Sequence, residues 1–206
     1  MKVLALLSRK GGTGKSTLSR SIAVAALLDG RSVGVVDSDE QASLFKWGER
    51  RPHVEPKILH TSKGTVKQHI ATFRKAGADL TVIDTPPNVQ PIINLAVAEA
   101  DAALIVTGVF FDDLEQVAVL VDMLKRLKKP SAIVLNRTPT RAAALTLARN
   151  ALSTFNIPIC PHTISLLVTH PYAGAEGLTA NEREPGGRGA EEISKLWAWL
   201  KKSEFV

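Results

Sequence analysis

Residues 8–17 read Ser8-Arg9-Lys10-Gly11-Gly12-Thr13-Gly14-Lys15-Ser16-Thr17 and join a short apolar run to a segment of helical character. They match the pattern K-G-G-x-G-K-[ST]-[ST]. The common phosphate loop, G-x-x-x-x-G-K-[ST], has a glycine where Arg9 stands here. Glycines let the backbone curl so that successive N–H groups converge on phosphate oxygens, and the N-terminus of the following helix adds positive potential. The less specific alternative is a glycine-rich turn that happens to contain lysine.

A loop of this kind predicts a site for a nucleoside phosphate and Mg²⁺. Lys15 is expected to reach the β- and γ-phosphates, the Ser16 hydroxyl to ligate Mg²⁺, and Thr17 to bind a phosphate oxygen near the helix start. The other phosphate-binding positions of the loop are Gly11, Gly12, Thr13 and Gly14.

Length and composition suit one globular domain over residues 1–206. Hydrophobic residues make up 45% of the 206 and charged residues 22%, a balance that argues against disorder, collagen and coiled coil. The single cysteine, Cys160, excludes an intrachain disulfide framework and a cysteine-based zinc or iron–sulfur site within one chain. Neither a signal-peptide pattern nor a membrane-spanning apolar run is evident, which predicts a cytoplasmic protein. The net charge of +6 suits an anionic partner without identifying it.

Short apolar runs alternate with helical stretches along the chain, which predicts a doubly wound α/β fold of the P-loop NTPase type. Its sheet would be mostly parallel, with helices on both faces. The predicted strands are 3–8, 32–37, 57–60, 80–84, 102–107, 131–136 and 157–160. The predicted helices are 15–29, 41–50, 66–76, 92–99, 113–128, 141–155 and 189–202, the last one preceded by a loop-like stretch at 181–189. Functional loops should lie at the carboxyl ends of the strands.

Acidic residues end two of these predicted strands. Asp37 and Asp39 follow the second strand, where they would face the crevice, although either could instead cap the next helix. The apolar run 80–83 ends in Asp84, the Walker B pattern, which predicts that Asp84 holds Mg²⁺ through a water molecule. Thr85-Pro86-Pro87 follows as a candidate switch segment.

The loop with its second lysine, Lys10, resembles the ParA/MinD-type deviant Walker A ATPases (SIMIBI P-loop NTPases), above all the small ParA-like partition ATPases. The resemblance implies ATP as the nucleotide and a catalytic role for Lys10, which would reach across a dimer to the partner's phosphates as an arginine finger does. A solvated surface lysine is the alternative. The family resemblance also implies that Asp39 positions the attacking water and that Asp37 supports the Mg²⁺ shell. Glu40 stands where the family usually has proline.

Asn136 ends the strand predicted at 131–136 and Arg137 follows it, and the family often carries Asn-Arg there. By resemblance the Asn136 amide would hydrogen-bond the adenine edge, since one amide can both donate and accept. An asparagine in the turn after a strand is the alternative. His162 and His170 have no carboxylate or cysteine companions at metal-binding spacing, and solvated loop histidines are expected.

The resemblance further implies that ATP closes a homodimer that binds DNA without sequence preference. An adaptor of ParB-like role would then stimulate hydrolysis as plasmid, chromosome or protein cargo is positioned in a cytoplasmic, nucleoid-associated cycle. Basic residues after position 124 are the candidates for the DNA surface. For the lysine cluster, a helix C-terminus that complements its own dipole is an equal alternative. The candidates are Lys125, Arg126, Lys128, Lys129, Arg137, Arg141, Arg149, Arg183 and Arg188.

The rival hypothesis is a membrane-positioned ATPase of MinD type. Its feature is the last helix, in which Ile193, Leu196, Trp197 and Leu200 share one face beside lysines, a pattern found in interfacial helices. The same apolar stripe is what a final helix needs in order to pack on a sheet, and this packing is the expected role.

Overall fold

A computed structural model of the chain describes residues 1–61, 65–88, 90–139 and 142–206. Within them, six parallel strands form one sheet in the order β3-β2-β4-β1-β5-β6. The strands are β1 Lys2–Leu7, β2 Val33–Asp37, β3 Lys57–His60, β4 Leu80–Asp84, β5 Ala102–Thr107 and β6 Ser131–Leu135. The helices are α1 Lys15–Leu28, α2 Ser43–Glu49, α3 Val66–Lys75, α4 Gln90–Glu99, α5 Phe111–Arg126, α6 Ala142–Ser153, α7 Thr169–Ala175, α8 Ala180–Arg183 and α9 Arg188–Lys202. The α/β fold with a parallel sheet is confirmed.

The sheet separates two apolar layers, because successive side chains of a strand point to opposite faces. On β1, Leu4 and Leu6 face the layer that contains residues of α1, α2 and α9, whereas Val3, Ala5 and Leu7 face the layer that contains residues of α3 to α6. Every residue of β5 and β6 is buried. This double burial explains why the strands are continuous apolar runs rather than alternating ones.

The strand order places the β1–α1 loop at the point where the chain changes direction across the sheet. β1 lies between β4 and β5, and the chain reaches those neighbours only after it has built β2 and β3 on one side. Ligands of open α/β sheets bind outside the carboxyl ends of the strands at such a point. The fold therefore brings residues 8–17 and the residues after β2, β4, β5 and β6 to one edge.

The strand predicted at 157–160 is wrong in extent. Ile159 forms an isolated parallel bridge with Ile133, held by bonds from Ile133 N to Pro158 O and from Cys160 N to Ile133 O. Proline has no N–H, so Pro158 and Pro161 interrupt the ladder on both sides of this bridge.

The loop predicted at 181–189 is partly helical, and α7 precedes it at positions for which no helix was predicted. Residues 181–183 belong to α8, which starts with a capping box between Thr179 and Glu182. Both elements are short, so they contain too few turns for an apolar periodicity to be recognised.

The last helix packs on the sheet, as expected. Ile193, Leu196, Trp197 and Leu200 are buried in the same layer as Leu4 and Leu6. No helix among the described residues is long and apolar enough to cross a membrane.

Candidate functional site

The loop after β1 presents unpaired main-chain donors. Gly12 and Gly14 both have φ of 79°, a left-handed conformation that favours glycine, and α1 starts directly after Gly14. Within the described part of the chain, the N–H groups of Gly11 to Lys15 meet no hydrogen-bond acceptor. First-turn amides of a helix and successive amides of a curled loop form an anion-binding concavity. The predicted positions Gly11, Gly12, Thr13 and Gly14 thus have the local geometry that a phosphate requires.

Lys15 and Asp84 form a buried ion pair beneath this loop. Lys15 Nζ lies 3.2 Å from Asp84 Oδ1 and also donates to the carbonyl of Thr85. Ser19, one turn further along α1, donates to the same Asp84 oxygen at 2.9 Å. A buried cation and carboxylate need such partners to offset their desolvation.

The other oxygen of Asp84 suits a bound cation. Asp84 Oδ2 is buried and has no hydrogen-bond partner among the described residues. A buried carboxylate oxygen without a partner is costly, and a metal-bound water would satisfy it. Nowhere in the described part do three or more His, Cys, Asp or Glu side chains converge. Mg²⁺ takes most of its ligands from water and phosphates, so a single buried carboxylate oxygen is chemically suited to accept from one of its bound waters.

Asp37 is engaged by backbone amides. Oδ2 accepts from the N–H groups of Leu44 and Phe45 at the start of α2, both at 2.9 Å, and Oδ1 accepts from Asp39 N at 3.1 Å. Burial raises the pKa of Asp37, although these hydrogen bonds act in the opposite direction. The contacts agree with the helix-capping alternative, and the proposed role in the Mg²⁺ shell stays a prediction.

Asp39 lies at the rim of the cleft above the phosphate loop. The cleft has a volume of about 330 Å³ and includes Lys15, Ser16 and Thr17 on one side and Asp39 and Gln41 on the other. Asp39 is only half-buried, and its Oδ1 accepts from Gln41 N at 3.0 Å. The structure thus brings Lys15, Ser16, Thr17 and Asp39 to one cavity, as a phosphoryl-transfer site requires.

Asn136 adjoins the loop from the opposite side. Its Nδ2 donates to the carbonyl of Thr13 at 2.7 Å, and a Cβ on Gly14 would lie 2.6 Å from that nitrogen. Glycine at position 14 is therefore needed for close approach as well as for its φ. Asn136 and Gly14 also border a second pocket of about 240 Å³, whose far wall is formed by Leu166, Leu167 and Val168. An apolar pocket with one amide in it suits a nucleobase.

Lys10 is anchored within its own chain. Its Nζ lies 2.8 Å from Asp113 Oδ1 on the first turn of α5. The hydrogen bond that Lys10 donates to this carboxylate raises the pKa of Lys10 above its usual range. Lys10 also borders the cleft, which puts it close to the phosphate loop.

Several residues of the site were not foreseen. Ser19 and Asp113 carry no motif, and their roles depend on contacts across the fold. Arg137, expected on a DNA surface, instead donates to the carbonyl of Gly12.

His170 was expected to be solvated, which is wrong: it is buried in α7, and neither ring nitrogen has a partner among the described residues. Burial lowers its pKa.

Comparison with known proteins assigns this geometry to a family. Residues 4–179 match the model of the CobQ/CobB/MinD/ParA nucleotide binding domain. The chain belongs to this family. Membership implies ATPase activity and confirms the resemblance to ParA/MinD-type proteins that the loop indicated.

Relatives of the whole chain agree with this assignment. Maintenance of carboxysome distribution protein A of Gloeobacter kilaueensis is 31% identical over 95% of this chain and 95% of its own length. The protein of the same name from Halothiobacillus neapolitanus is 26% identical over 94% and 93%. The septum site-determining protein MinD of Pyrococcus horikoshii, solved in complex with Mg-ADP, superposes with a TM-score of 0.78 at 20% identity, covering 98% of this chain and 97% of that one.

Proposed function

We propose that this family member is an ATP-dependent dimerising ATPase that binds DNA without sequence preference and positions a cargo, with hydrolysis stimulated by an adaptor protein. The observation that carries the proposal is the set of unpaired amides at Gly11 to Lys15 above the buried pair of Lys15 and Asp84. Donors already in place for a phosphate chain stabilise charge without reorganisation, and phosphoryl transfer depends mainly on such positioning.

Each residue at the cleft has a proposed role. Lys15 binds the β- and γ-phosphates and Thr17 a further phosphate oxygen. Ser16 and Asp84 hold Mg²⁺, with Asp37 in support, and the metal compensates the negative charge of the phosphates. Asp39 orients the attacking water. Asn136 is the adenine-binding residue, and its position beside the apolar pocket supports that role.

Dimerisation is proposed because Lys10 and exposed apolar side chains share one surface. Phe110 and Leu166 border an opening of about 260 Å³ together with Lys10, and Phe111 is adjacent. All three apolar side chains are more than half exposed. A second copy placed over the cleft would bury them and bring its own Lys10 toward the phosphates.

The relatives favour a protein assembly over a plasmid as the cargo. Two of them are named for carboxysome distribution. We propose that this chain likewise positions a large protein body in the cytoplasm. The body would move over the nucleoid DNA, and an adaptor of ParB-like role would be bound to it.

The candidate DNA residues do not form one surface. The last turn of α5 lies at the amino edge of the sheet, away from the phosphate loop, because α5 runs back from β5 to the start of β6. Arg183 and Arg188 are paired with Glu176 and Glu192. Arg149 donates to the carbonyls of Cys160 and Pro161, and Arg141 lies outside the described residues. The remaining cluster consists of Lys125, Arg126, Lys128 and Lys129 at and just after the end of α5. Within it Arg126 pairs with Asp122 and Lys129 donates to the carbonyl of Ala100, and we propose the cluster, with Lys125 and Lys128 as its main contacts, as the DNA surface.

An electrophoretic shift on nonspecific DNA with and without ATP tests the proposal. The wild type should shift DNA with ATP and not without it, and Lys15→Ala should not shift it at all. Asp39→Ala should bind ATP and DNA yet fail to release phosphate. DNA binding that is equal without ATP, or absent with ATP at low salt, would contradict the DNA-dependent cycle.

In this fold, the apolar stripe that suggested the membrane-associated alternative is used for packing. The apolar stripe of α9 is buried against the sheet, and Trp199, off the stripe, stacks on Phe205 with ring centroids 5.7 Å apart. Sedimentation with anionic vesicles should leave the ATP-bound chain in the supernatant. Co-sedimentation that depends on ATP would favour the alternative instead.

A further inference from the structure

We infer that Arg137 is a nucleotide-binding residue whose guanidinium contacts the α-phosphate, an inference that rests on the proposed ATP site and adds a residue to it. Arg137 follows β6 directly after Asn136. Its side chain crosses to the phosphate loop, where Nη1 donates to Gly12 O at 2.5 Å. This contact spans 125 positions of sequence and places a permanent positive charge on the loop.

The backbone at Arg137 is held in an unfavourable conformation. Its φ is 53°, in the left-handed region that residues other than glycine and asparagine rarely adopt. The aliphatic part of its side chain lies against Gly14, because a Cβ there would be 3.3 Å from Arg137 Cδ. Strained residues cluster at functional sites, where the surrounding structure holds them in place. Here the backbone conformation directs the side chain over the loop, while the residue itself stays exposed.

The position of Arg137 between the two cavities identifies the group it would contact. Arg137 borders the cleft that contains Lys15, Ser16 and Thr17, and it also borders the apolar pocket beside Asn136. With the β- and γ-phosphates in the first cavity and the base in the second, the ribose and α-phosphate lie between them. A guanidinium prefers the anionic member of that pair, since it donates to phosphate oxygens in a planar, charge-assisted arrangement.

The charge of Arg137 is also free for a ligand. Other arginines considered for DNA binding are neutralised: Arg126, Arg183 and Arg188 pair with Asp122, Glu176 and Glu192. Arg137 has no acidic partner in the part of the chain that the structure describes, where its guanidinium donates to Gly12 O. An uncompensated guanidinium beside unpaired amides suits an anion.

Competition binding with a fluorescent ADP analogue tests the inference, using ADP, pyrophosphate and adenosine as competitors. Arg137→Ala should weaken ADP by about ten-fold or more, as expected for one lost charge-assisted hydrogen bond. Pyrophosphate and adenosine, which lack the α-phosphate in its ADP position, should lose less than about two-fold. Arg137→Lys, which keeps the charge but not the planar fork, should fall in between.

Arg149→Ala is the matched control, because Arg149 donates to the carbonyls of Cys160 and Pro161 and lies on neither cavity; it should bind ADP as the wild type does. Unchanged ADP affinity in Arg137→Ala would overturn the inference. So would an equal loss for pyrophosphate, which would mean that Arg137 only shapes the loop. If the wild type bound no ADP, or Lys15→Ala bound it normally, the proposed ATP site itself would fail.

Discussion

Lys10 Nζ lies 2.8 Å from Asp113 Oδ1, so the lysine proposed to act on a partner's nucleotide is bound within its own chain. The lysine side chain is 47% exposed and the aspartate 11%. A lysine cannot keep this contact and reach across a dimer at the same time. The proposed role of Lys10 in trans therefore requires this contact to break first.

Asp113→Asn should shift the chain toward the ATP-dependent dimer, because it weakens the contact that competes for Lys10. The gain should be only a few-fold, since an ion pair whose lysine is 47% exposed is partly screened by solvent and contributes little. Analytical ultracentrifugation at saturating ATP measures it, with Asp112→Asn as control because Asp112 lies on the same turn without contacting Lys10. A dimerisation constant that is the same in both variants and the wild type would show that the pair does not restrain Lys10.

Ser19→Ala should destabilise the protein by about 1–3 kcal/mol, the cost of leaving a buried charged acceptor short of a donor. Ser19 Oγ is the donor at 2.9 Å from Asp84 Oδ1. Ser21→Ala is the matched control, because Ser21 is equally buried on α1 but its hydroxyl donates to the carbonyl of Thr17 rather than to a carboxylate. Urea unfolding of the nucleotide-free protein measures both, and equal losses would mean that Ser19 acts through helix geometry alone.

His170 should make the fold sensitive to mild acid. Burial lowers its pKa below the ordinary 6.5, while Glu192 raises it and Arg20 lowers it further. The neutral ring is thus favoured in the folded state, and its contribution to stability is complete above pH 6.5 and lost as the pH falls below that value. The free energy of unfolding of His170→Phe should fall less than that of the wild type as the pH is lowered from neutral to acid. The exposed His53 supplies the control His53→Gln, which should follow the wild-type curve.

Glu182→Ala should cost about 3 kcal/mol or more, because it leaves a buried arginine without its partner. Arg51 is 2% exposed, bonds both carboxylate oxygens of Glu182 at 3.2 and 2.7 Å, and lies 4.6 Å from the centre of the Trp47 ring. Burial alone would raise the pKa of Glu182, but Arg51 holds it below its usual range.

The neighbouring Glu176→Ala gives the comparison for this pair. Glu176 pairs with Arg183 on the surface, with both side chains at least one-third exposed. Its loss should change the free energy of unfolding by less than about 0.5 kcal/mol. Thermal unfolding of the two variants would contradict the expected difference if their losses were equal.

Local patterns were enough to predict the sheet and the phosphate loop. The strands at 80–84 and 102–107 have their predicted bounds, because double burial demands continuous apolar runs that are visible in the sequence. The edge strand at 57–60 also has its predicted bounds, although its residues are exposed or half-buried. Lys15, Ser16, Thr17 and Asp39 converge because parallel strands end at one edge. What could not be predicted depends on side-chain direction. Nothing near Asp113 or Arg137 in sequence shows that one binds Lys10 and the other Gly12.

The short helices α7 and α8 were not predicted from the sequence for a related reason. α7 and α8 are stabilised by contacts with distant residues, such as the bonds from Arg20 to the carbonyl of His170 and from Arg51 to Glu182. Such contacts leave no periodic signal in the segments themselves.

The bonds from Asn136 to Thr13 and from Arg137 to Gly12 also set an order of events during synthesis. The phosphate loop leaves the ribosome well before two of the side chains that hold its carbonyls, which follow more than 120 positions later. Until β6 has joined the sheet, the loop lacks these outer supports. A nascent chain should therefore acquire nucleotide affinity late, after most of the sheet has formed, and ATP would then select chains whose sheet is already assembled.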